Sequence, residues 1–215
     1  MFGALEHSFL HDMNNVLQGL AGTSEILVES LQGEDLELVE QLQSLARRMC
    51  GEIALQRTLI ESERYVPRAE RIEVRELLED VRRALSCHPA AFAKSIDSVP
   101  PPTIKLKADR FLVERILTNM VINALEATPE GGHVRVSVEV LGESIQLAVR
   151  NSGFIAEEVQ PRVFQRYFST KAGVGRGQGT FAMKLFGERL LGGKVSFTSD
   201  EKNGTEFVLQ LPVDP

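Results

Sequence analysis

Cysteine is scarce in this chain: only Cys50 and Cys87 occur among 215 residues. They lack the paired or metal-type spacing of a disulfide framework or a zinc site, so a reducing compartment is expected. No run of about 18 apolar residues is present, and the first residues lack a basic segment followed by an apolar one. A membrane segment and a secretory leader are therefore not expected. The expectation is a soluble, cytoplasmic protein. Basic blocks are missing too. With 24 Lys and Arg against 30 Asp and Glu, the net charge of -6 argues against a nucleic-acid partner. No internal repeat or low-complexity tract is evident. What is present, 43% hydrophobic residues over this length, suffices to build one large or two small domains around a packed core.

Within that apolar content, Asn119-Met-Val-Ile-Asn123-Ala-Leu-Glu-Ala-Thr128 places two carboxamides four residues apart in a helical pattern. That spacing puts them on one face. Burying two amides costs free energy unless each finds partners, and neutral oxygen donors suit Mg²⁺, which relies on substrate phosphates for part of its shell. Taken alone, such a pair is more often a capping or polar-network feature. Further on, Gly173, Gly175, Gly177 and Gly179 alternate and run into the helical pattern from Thr180. Such a loop exposes backbone N–H groups where phosphate can approach without a Cβ in the way. No Gly-Lys-Ser/Thr follows and no strand leads directly into it, so neither a Walker loop nor a dinucleotide fingerprint is present. By itself this loop also reads as a flexible linker. Three more segments stand out: a strand ending Arg150-Asn151-Ser152-Gly153, then Val163-Phe164-Gln-Arg-Tyr-Phe168-Ser-Thr-Lys171, then Gly204-Thr205 opening the last strand.

The organisation changes at Pro67. Before it, Leu10, Met13, Leu17, Leu20, Ser24, Leu27 and Leu31 recur at steps of three and four, and Leu38, Leu42, Leu45, Met49, Ile53 and Ile60 line a second helix from about Asp35 to Tyr65. Gly33-Glu-Asp breaks the two apart. An antiparallel hairpin of this kind leaves apolar surface uncovered, so two copies are expected to pair as a homodimeric four-helix bundle. After Pro67 strands and helices mix. Strands are expected at Arg71–Val74, Thr103–Lys107, Val134–Val140, Ser144–Val149, Lys194–Thr198 and Thr205–Leu211, with helices over Arg75–Ser86, Asp109–Thr128 and Thr180–Leu191. The fold class is α+β, a sandwich with helices on one face of a mixed sheet.

The five motifs, in their order along the chain over roughly residues 70 to 213, resemble the ATP-binding domain of the GHKL superfamily, the Bergerat-type sandwich, and within it the two-component sensor histidine kinases. Ahead of them, Phe9-Leu10-His11-Asp12-Met13-Asn14-Asn15 resembles the phosphoacceptor box of those kinases, His-Asp/Glu-x-x-Asn/Thr on a helix hairpin. The resemblance implies a dimerisation and phosphoacceptor domain over residues 1–66 and a catalytic ATP-binding domain over 67–215. His11 would take the γ-phosphate of ATP and pass it to an aspartate on the receiver domain of a response regulator. Asp12 would orient the imidazole, and Asn15 would orient water for dephosphorylation of that regulator. His7 is followed by serine and does not fit the box; His88 and His133 read as surface residues. Asn123 would ligate Mg²⁺ with support from Asn119. Gly175, Gly177 and Gly179 would wrap the phosphates with Thr180 beside them, and Lys171 and Arg176 would add charge. Asn151, Gly153, Gly204 and Thr205 would lie at the adenine. Relatives that hydrolyse ATP, such as gyrase and the Hsp90 chaperones, carry a glutamate at position 119 as general base, which an amide cannot replace.

Two departures stand out. The family's Asp-x-Gly-x-Gly is here Asn151-Ser152-Gly153-Phe154-Ile155, without the carboxylate or the second glycine, so weaker ATP binding is expected. Gln178 replaces the usual leucine of the glycine loop, and the segment from Lys171 to Gly175 makes a short ATP lid. These departures keep two alternatives in play. One is an ATP-independent histidine phosphotransferase with a degenerate nucleotide domain; the other is a GHKL ATPase or serine kinase.

Overall fold

A computed structural model describes residues 65–86, 88–98, 104–166, 168 and 179–212, with scattered positions between 16 and 49. The chain divides into two compact units, Met1–Tyr65 and Val66–Pro215. In the first, the described residues between 16 and 23 and between 35 and 49 are helical. Leu17 and Ala46 are buried there, whereas Val16, Leu20, Leu38, Leu42 and Met49 are exposed.

The second unit begins with β1 (Glu70–Glu73) and α1 (Val74–Leu85), followed by β2 (Ser95–Ser98), β3 (Lys105–Ala108) and α2 (Arg110–Ala127). Then come β4 (His133–Leu141), β5 (Ser144–Asn151), α3 (Gly179–Lys184), β6 (Lys194–Asp200) and β7 (Gly204–Pro212). β1 and β3 pair antiparallel as a separate ribbon, and the remaining strands form one sheet in the order β2-β4-β5-β7-β6. Its β2–β4 pair is parallel and the rest are antiparallel, so the sheet is mixed.

Period-two alternation explains which face is covered. Val134, Val136 and Val138 of β4, Ile145, Leu147 and Val149 of β5, and Phe207, Leu209 and Leu211 of β7 are buried. Arg135, Glu139 and Arg150 between them are exposed. Against the apolar face lies α2, with Leu112, Val113, Ile116, Leu117, Met120, Val121, Ala124 and Leu125 buried. α1 packs in turn on α2 through an apolar stripe that includes Leu77, Leu78, Val81 and Leu85. Fully burying side chains of this kind stabilises by roughly 1.5–3 kcal/mol each.

α2 has well-defined ends. Asp109 caps its start, Oδ1 accepting from the Leu112 N–H at 3.1 Å, and Oδ2 accepts the Arg68 N–H at 2.8 Å. Thr128 closes the other end, its hydroxyl donating to Ala124 O at 2.7 Å. Asp109 thus ties the segment after Pro67 to the helix that carries both asparagines. Asp109→Ala is expected to destabilise the second unit by about 2 kcal/mol, since a cap and a second buried acceptor go together. Chemical denaturation would read the change, and a loss within error would contradict it.

The structure departs from the sequence reading in three places. β2 has no alternating apolar signal in Ser-Ile-Asp-Ser and owes its existence to pairing with β4. The helix expected to run unbroken from Thr180 to Leu191 is α-helical only to Lys184 and widens into a π segment over Leu185–Leu190. Within the widened segment Gly187 lies so close to β6 and β7 that a Cβ would overlap Val195 Cγ2. His88, read as a surface residue, is half-buried, and its Nδ1 accepts from the Ala90 N–H at 3.1 Å.

Candidate functional site: an amide-lined helix face and a buried strand end

Asn119 and Asn123 lie on α2 at half-buried positions, while their neighbours Met120, Val121 and Ala124 sit in the core. Extending the same step of four residues reaches Ala127. Each end of this face meets a glycine. Gly179, the first residue of α3, approaches Asn119 so closely that a Cβ there would sit 3.7 Å from its Oδ1. At the other end, a Cβ on Gly153 would overlap Ala127 O. From 119 to 127 the helix rises about 12 Å, so the face spans the distance between two glycine-bearing segments 26 residues apart in sequence. The Nδ2 of Asn119 is buried with no hydrogen-bond partner among the described residues. An orphaned buried donor is costly.

The strand-end cluster is better satisfied. Asn151, 5% exposed, and Thr205, 3% exposed, are paired neighbours on β5 and β7. Gly153 O accepts from two groups, Asn151 Nδ2 at 3.3 Å and the Thr205 hydroxyl at 2.8 Å. Ser199 of β6 lies 2.8 Å from Thr205 through their hydroxyl oxygens and accepts the Ile155 N–H at 2.7 Å. Gln160 Nε2 donates to Ile155 O and Ser199 O at 2.9 and 3.2 Å. Residues 151–155 are therefore pinned from three strands. At the β6–β7 turn, the exposed Asp200 carboxyl is held below its ordinary value, chiefly by the Asn203 side-chain amide. That contribution is present at neutral pH and fades as pH falls through the carboxyl's own titration.

Aromatic packing holds the next segment. Phe164 meets Phe197 and Phe207 edge-on at 5.6 and 6.3 Å, those two rings stack at 5.4 Å, and Lys184 Nζ lies 5.0 Å above the Phe164 ring. The arrangement anchors the chain shortly before the glycine loop.

Of the site residues expected from sequence, the structure brings together Asn119, Asn123 and Gly179 in one group and Asn151, Gly153 and Thr205 in another. Thr180 follows Gly179 in α3. His11, Asp12, Asn15, Lys171, Gly175, Arg176 and Gly177 lie outside the described residues. Sequence reasoning missed Ser199 and Gln160. Neither carries a local signal, because the contacts that join Ser199 to Ile155 and Gln160 to Ser199 span about forty residues. Among the described residues no group of three or more His, Cys, Asp or Glu side chains could hold a metal ion, and no helix is long and apolar enough to cross a membrane.

Residues 108–215, from the end of β3 onward, match the family model for "Histidine kinase-, DNA gyrase B-, and HSP90-like ATPase". The chain belongs to this family. The GHKL assignment accounts for the mixed sheet and for the position of the amide-bearing helix. The histidine kinase AfsQ2 of Streptomyces coelicolor is 28% identical over 95% of this chain and 41% of its own length. The sensor histidine kinase AruS of Pseudomonas aeruginosa is 31% identical over 94% of this chain and 22% of its own. The chain thus spans less than half the length of these curated relatives. Among solved structures, the catalytic domain of the histidine kinase ThkA superposes with a TM-score of 0.60 at 26% identity, covering 69% of this chain and 97% of that domain. ShkA, solved in complex with AMPPNP, shares the fold with a TM-score of 0.70 at 22% identity, covering 97% of this chain and 45% of that one.

Proposed function

We propose that this GHKL chain is the core of a two-component histidine kinase, which phosphorylates His11 from ATP and passes the phosphoryl group to a response-regulator aspartate. The observation that carries this reading is the α2 face bounded by Gly179 and Gly153, with a buried amide at 119 that has no partner among the described residues, where an ATP hydrolase needs a carboxylate base. An orphaned N–H donor at that end fits a phosphate oxygen. The donor set also fits Mg²⁺: the carboxamide oxygens of Asn123 and Asn119 are the hard, neutral ligands it accepts. Bound there, Mg²⁺ neutralises charge on the phosphates.

In the proposed step a neutral imidazole nitrogen of His11 attacks the γ-phosphorus in line. The N–P bond forms as the bond to the bridging oxygen breaks, and ADP leaves with that electron pair. Asp12 holds the other ring nitrogen. Asn15 directs water when the regulator is dephosphorylated, and Lys171, Arg176, Gly175 and Gly177 add contacts to the phosphates. Residues 1–66 act as the dimerisation and phosphoacceptor domain and 67–215 as the catalytic domain. The half-exposed Leu38, Leu42 and Met49, at 57%, 50% and 47%, support pairing of two copies into a four-helix bundle, because their spacing sets them along one helix face. Cys50 and Cys87, without paired or metal-type spacing, support a cytoplasmic setting.

Incubation with γ-labelled ATP and Mg²⁺ tests the reading. Acid-labile label on the protein is expected, and Asn123→Ala is expected to lower it by at least about a hundredfold while leaving the fold intact. Absence of label on the wild-type chain would favour an ATP-independent phosphotransferase, which the missing carboxylate at 151 would then explain. Acid-stable label would point to a serine kinase, and free phosphate alone to an ATPase.

A further inference from the structure

Among the described residues, three cations lie over aromatic rings, and all three contacts fall between residues 162 and 184. Arg162 Cζ sits 4.0 Å from the Phe168 ring centre, Arg166 Cζ 5.8 Å from that of Phe181, and Lys184 Nζ 5.0 Å from that of Phe164. Contacts of this kind arise roughly once per 70–80 residues, so their concentration here marks the stretch out. Composition explains why rings serve as partners. Between residues 159 and 192 stand Arg162, Arg166, Lys171, Arg176, Lys184 and Arg189 against one acid, Glu188, whose Oε1 accepts the Val195 N–H at 3.4 Å.

Two of the contacts form a crossed pair that joins the segment before the glycine loop to the helix after it. Lys184 of α3 covers Phe164 of the segment, and Arg166 of the segment covers Phe181 of α3. Each arm also rests on the same two strands. Phe164 packs edge-on to Phe197 of β6 and Phe207 of β7, while Gly187, in the widened segment after α3, lies against Val195 of β6 and Leu209 of β7. Packing on the strands fixes how deep each arm lies, and the crossed contacts fix their separation. Residues 169–178 connect the two arms. Holding both ends of a short connection removes conformations in advance, and order established before binding lowers the cost of binding. We propose that Lys184 and Arg166 are positioning residues for the nucleotide: their crossed ring contacts hold the two ends of the glycine loop at a set separation, so that the loop meets the phosphates partly ordered. The proposal rests on the kinase reading and deepens it, since it names residues that act on the same site through aromatic rings. The saved ordering counts equally for bound nucleotide and transition state, so its loss raises KM and leaves kcat in place.

The test follows autophosphorylation of the full chain with Mg²⁺ across ATP concentrations. Both cations are exposed, so removing their charge leaves the core untouched. Lys184→Met and Arg166→Met are each expected to raise KM for ATP about threefold with kcat within about twofold, and the double variant to raise KM about tenfold. Lys184→Arg is expected to restore the wild-type KM. On a Phe164→Leu background, Lys184→Met is expected to add nothing, because the ring through which it acts is gone. An unchanged KM in the double variant, or a fall in kcat instead, would overturn the proposal. So would a further loss of the same size on the Phe164→Leu background, since Lys184 would then meet the nucleotide directly. Should Phe164→Leu not fold, salt decides: a ring contact keeps the Lys184→Met effect from about 50 to about 300 mM salt, whereas a charge acting on phosphate across solvent loses it to screening. Disappearance of the effect over that range would overturn the proposal. If the wild-type chain takes no label, the kinase reading falls, and displacement of a fluorescent ATP analogue reads the same ratios as affinities. If that analogue does not bind either, this inference falls as well.

Discussion

His11→Gln is expected to carry no acid-labile phosphate after incubation with γ-labelled ATP and Mg²⁺, a loss of more than about a thousandfold. Glutamine keeps a polar side chain of similar reach but has no basic nitrogen lone pair, because its amide nitrogen is delocalised into the carbonyl. The phosphorus then has no acceptor, and nothing at position 119 can recruit water instead. Nucleotide binding is expected to stay unchanged in this variant, because His11 belongs to the unit ending at Tyr65 while the amide face and the strand-end cluster belong to the unit beginning at Val66. The two readouts separate roles. Loss of label with retained nucleotide binding identifies the acceptor, whereas persistent label would move the acceptor elsewhere, with His7 the first residue to examine.

Gly204→Ala is expected to be the most damaging single methyl addition in the second unit. Gly204 sits at φ +76°, and a Cβ there would overlap Asn151 O and come within 2.9 Å of Ser152 Cα. Both obstacles are backbone, so no side chain can rotate out of the way. Relief requires β5 and β7 to part where Asn151 pairs with Thr205. Strain in the left-handed region adds about 1 kcal/mol to the overlap, for a total of about 3 kcal/mol or more. In a unit of this size that lowers the thermal midpoint by roughly 10 °C, and nucleotide binding is expected to weaken with it, since the strained residues carry the strand-end cluster. Gly142 provides the comparison. It also has a positive φ, +60°, but a Cβ there meets nothing within 4 Å, so Gly142→Ala is expected to cost only the backbone strain. Equal midpoints for the two variants would show that the overlap is relieved cheaply.

The difference between these glycines marks how far the sequence could be read. Gly142-Glu143 is legible as a turn because alternating strands flank it, and the structure puts β4 and β5 on either side with Leu141 paired to Ser144. Gly204 is legible as the start of a strand, but its tight approach to Asn151 depends on a partner more than fifty residues away. The same holds along α2. Its asparagines, its cap at Asp109 and its end at Thr128 follow from spacing and residue type, because helix geometry is a local relation over three or four residues. That Ala127 receives Gly153 and Asn119 receives Gly179 follows only from how sheet and helices close on each other. β2 shows the converse: with a polar, four-residue sequence it has no strand signal, and it exists because β4 offers an edge to pair with.

The sequence by itself determined the elements that rest on periodicity and caps: the amide-bearing helix, the alternating strands, the order of five motifs and the family to which they belong. Tertiary structure alone decided which atoms meet. It left the Asn119 amide buried without a partner among the described residues, gave Gly153 O two donors, and brought Ser199 to the strand end beside Thr205. The reason is physical: helix and strand patterns arise between near neighbours in sequence, whereas hydrogen-bond partners across a site are fixed by packing between segments tens of residues apart.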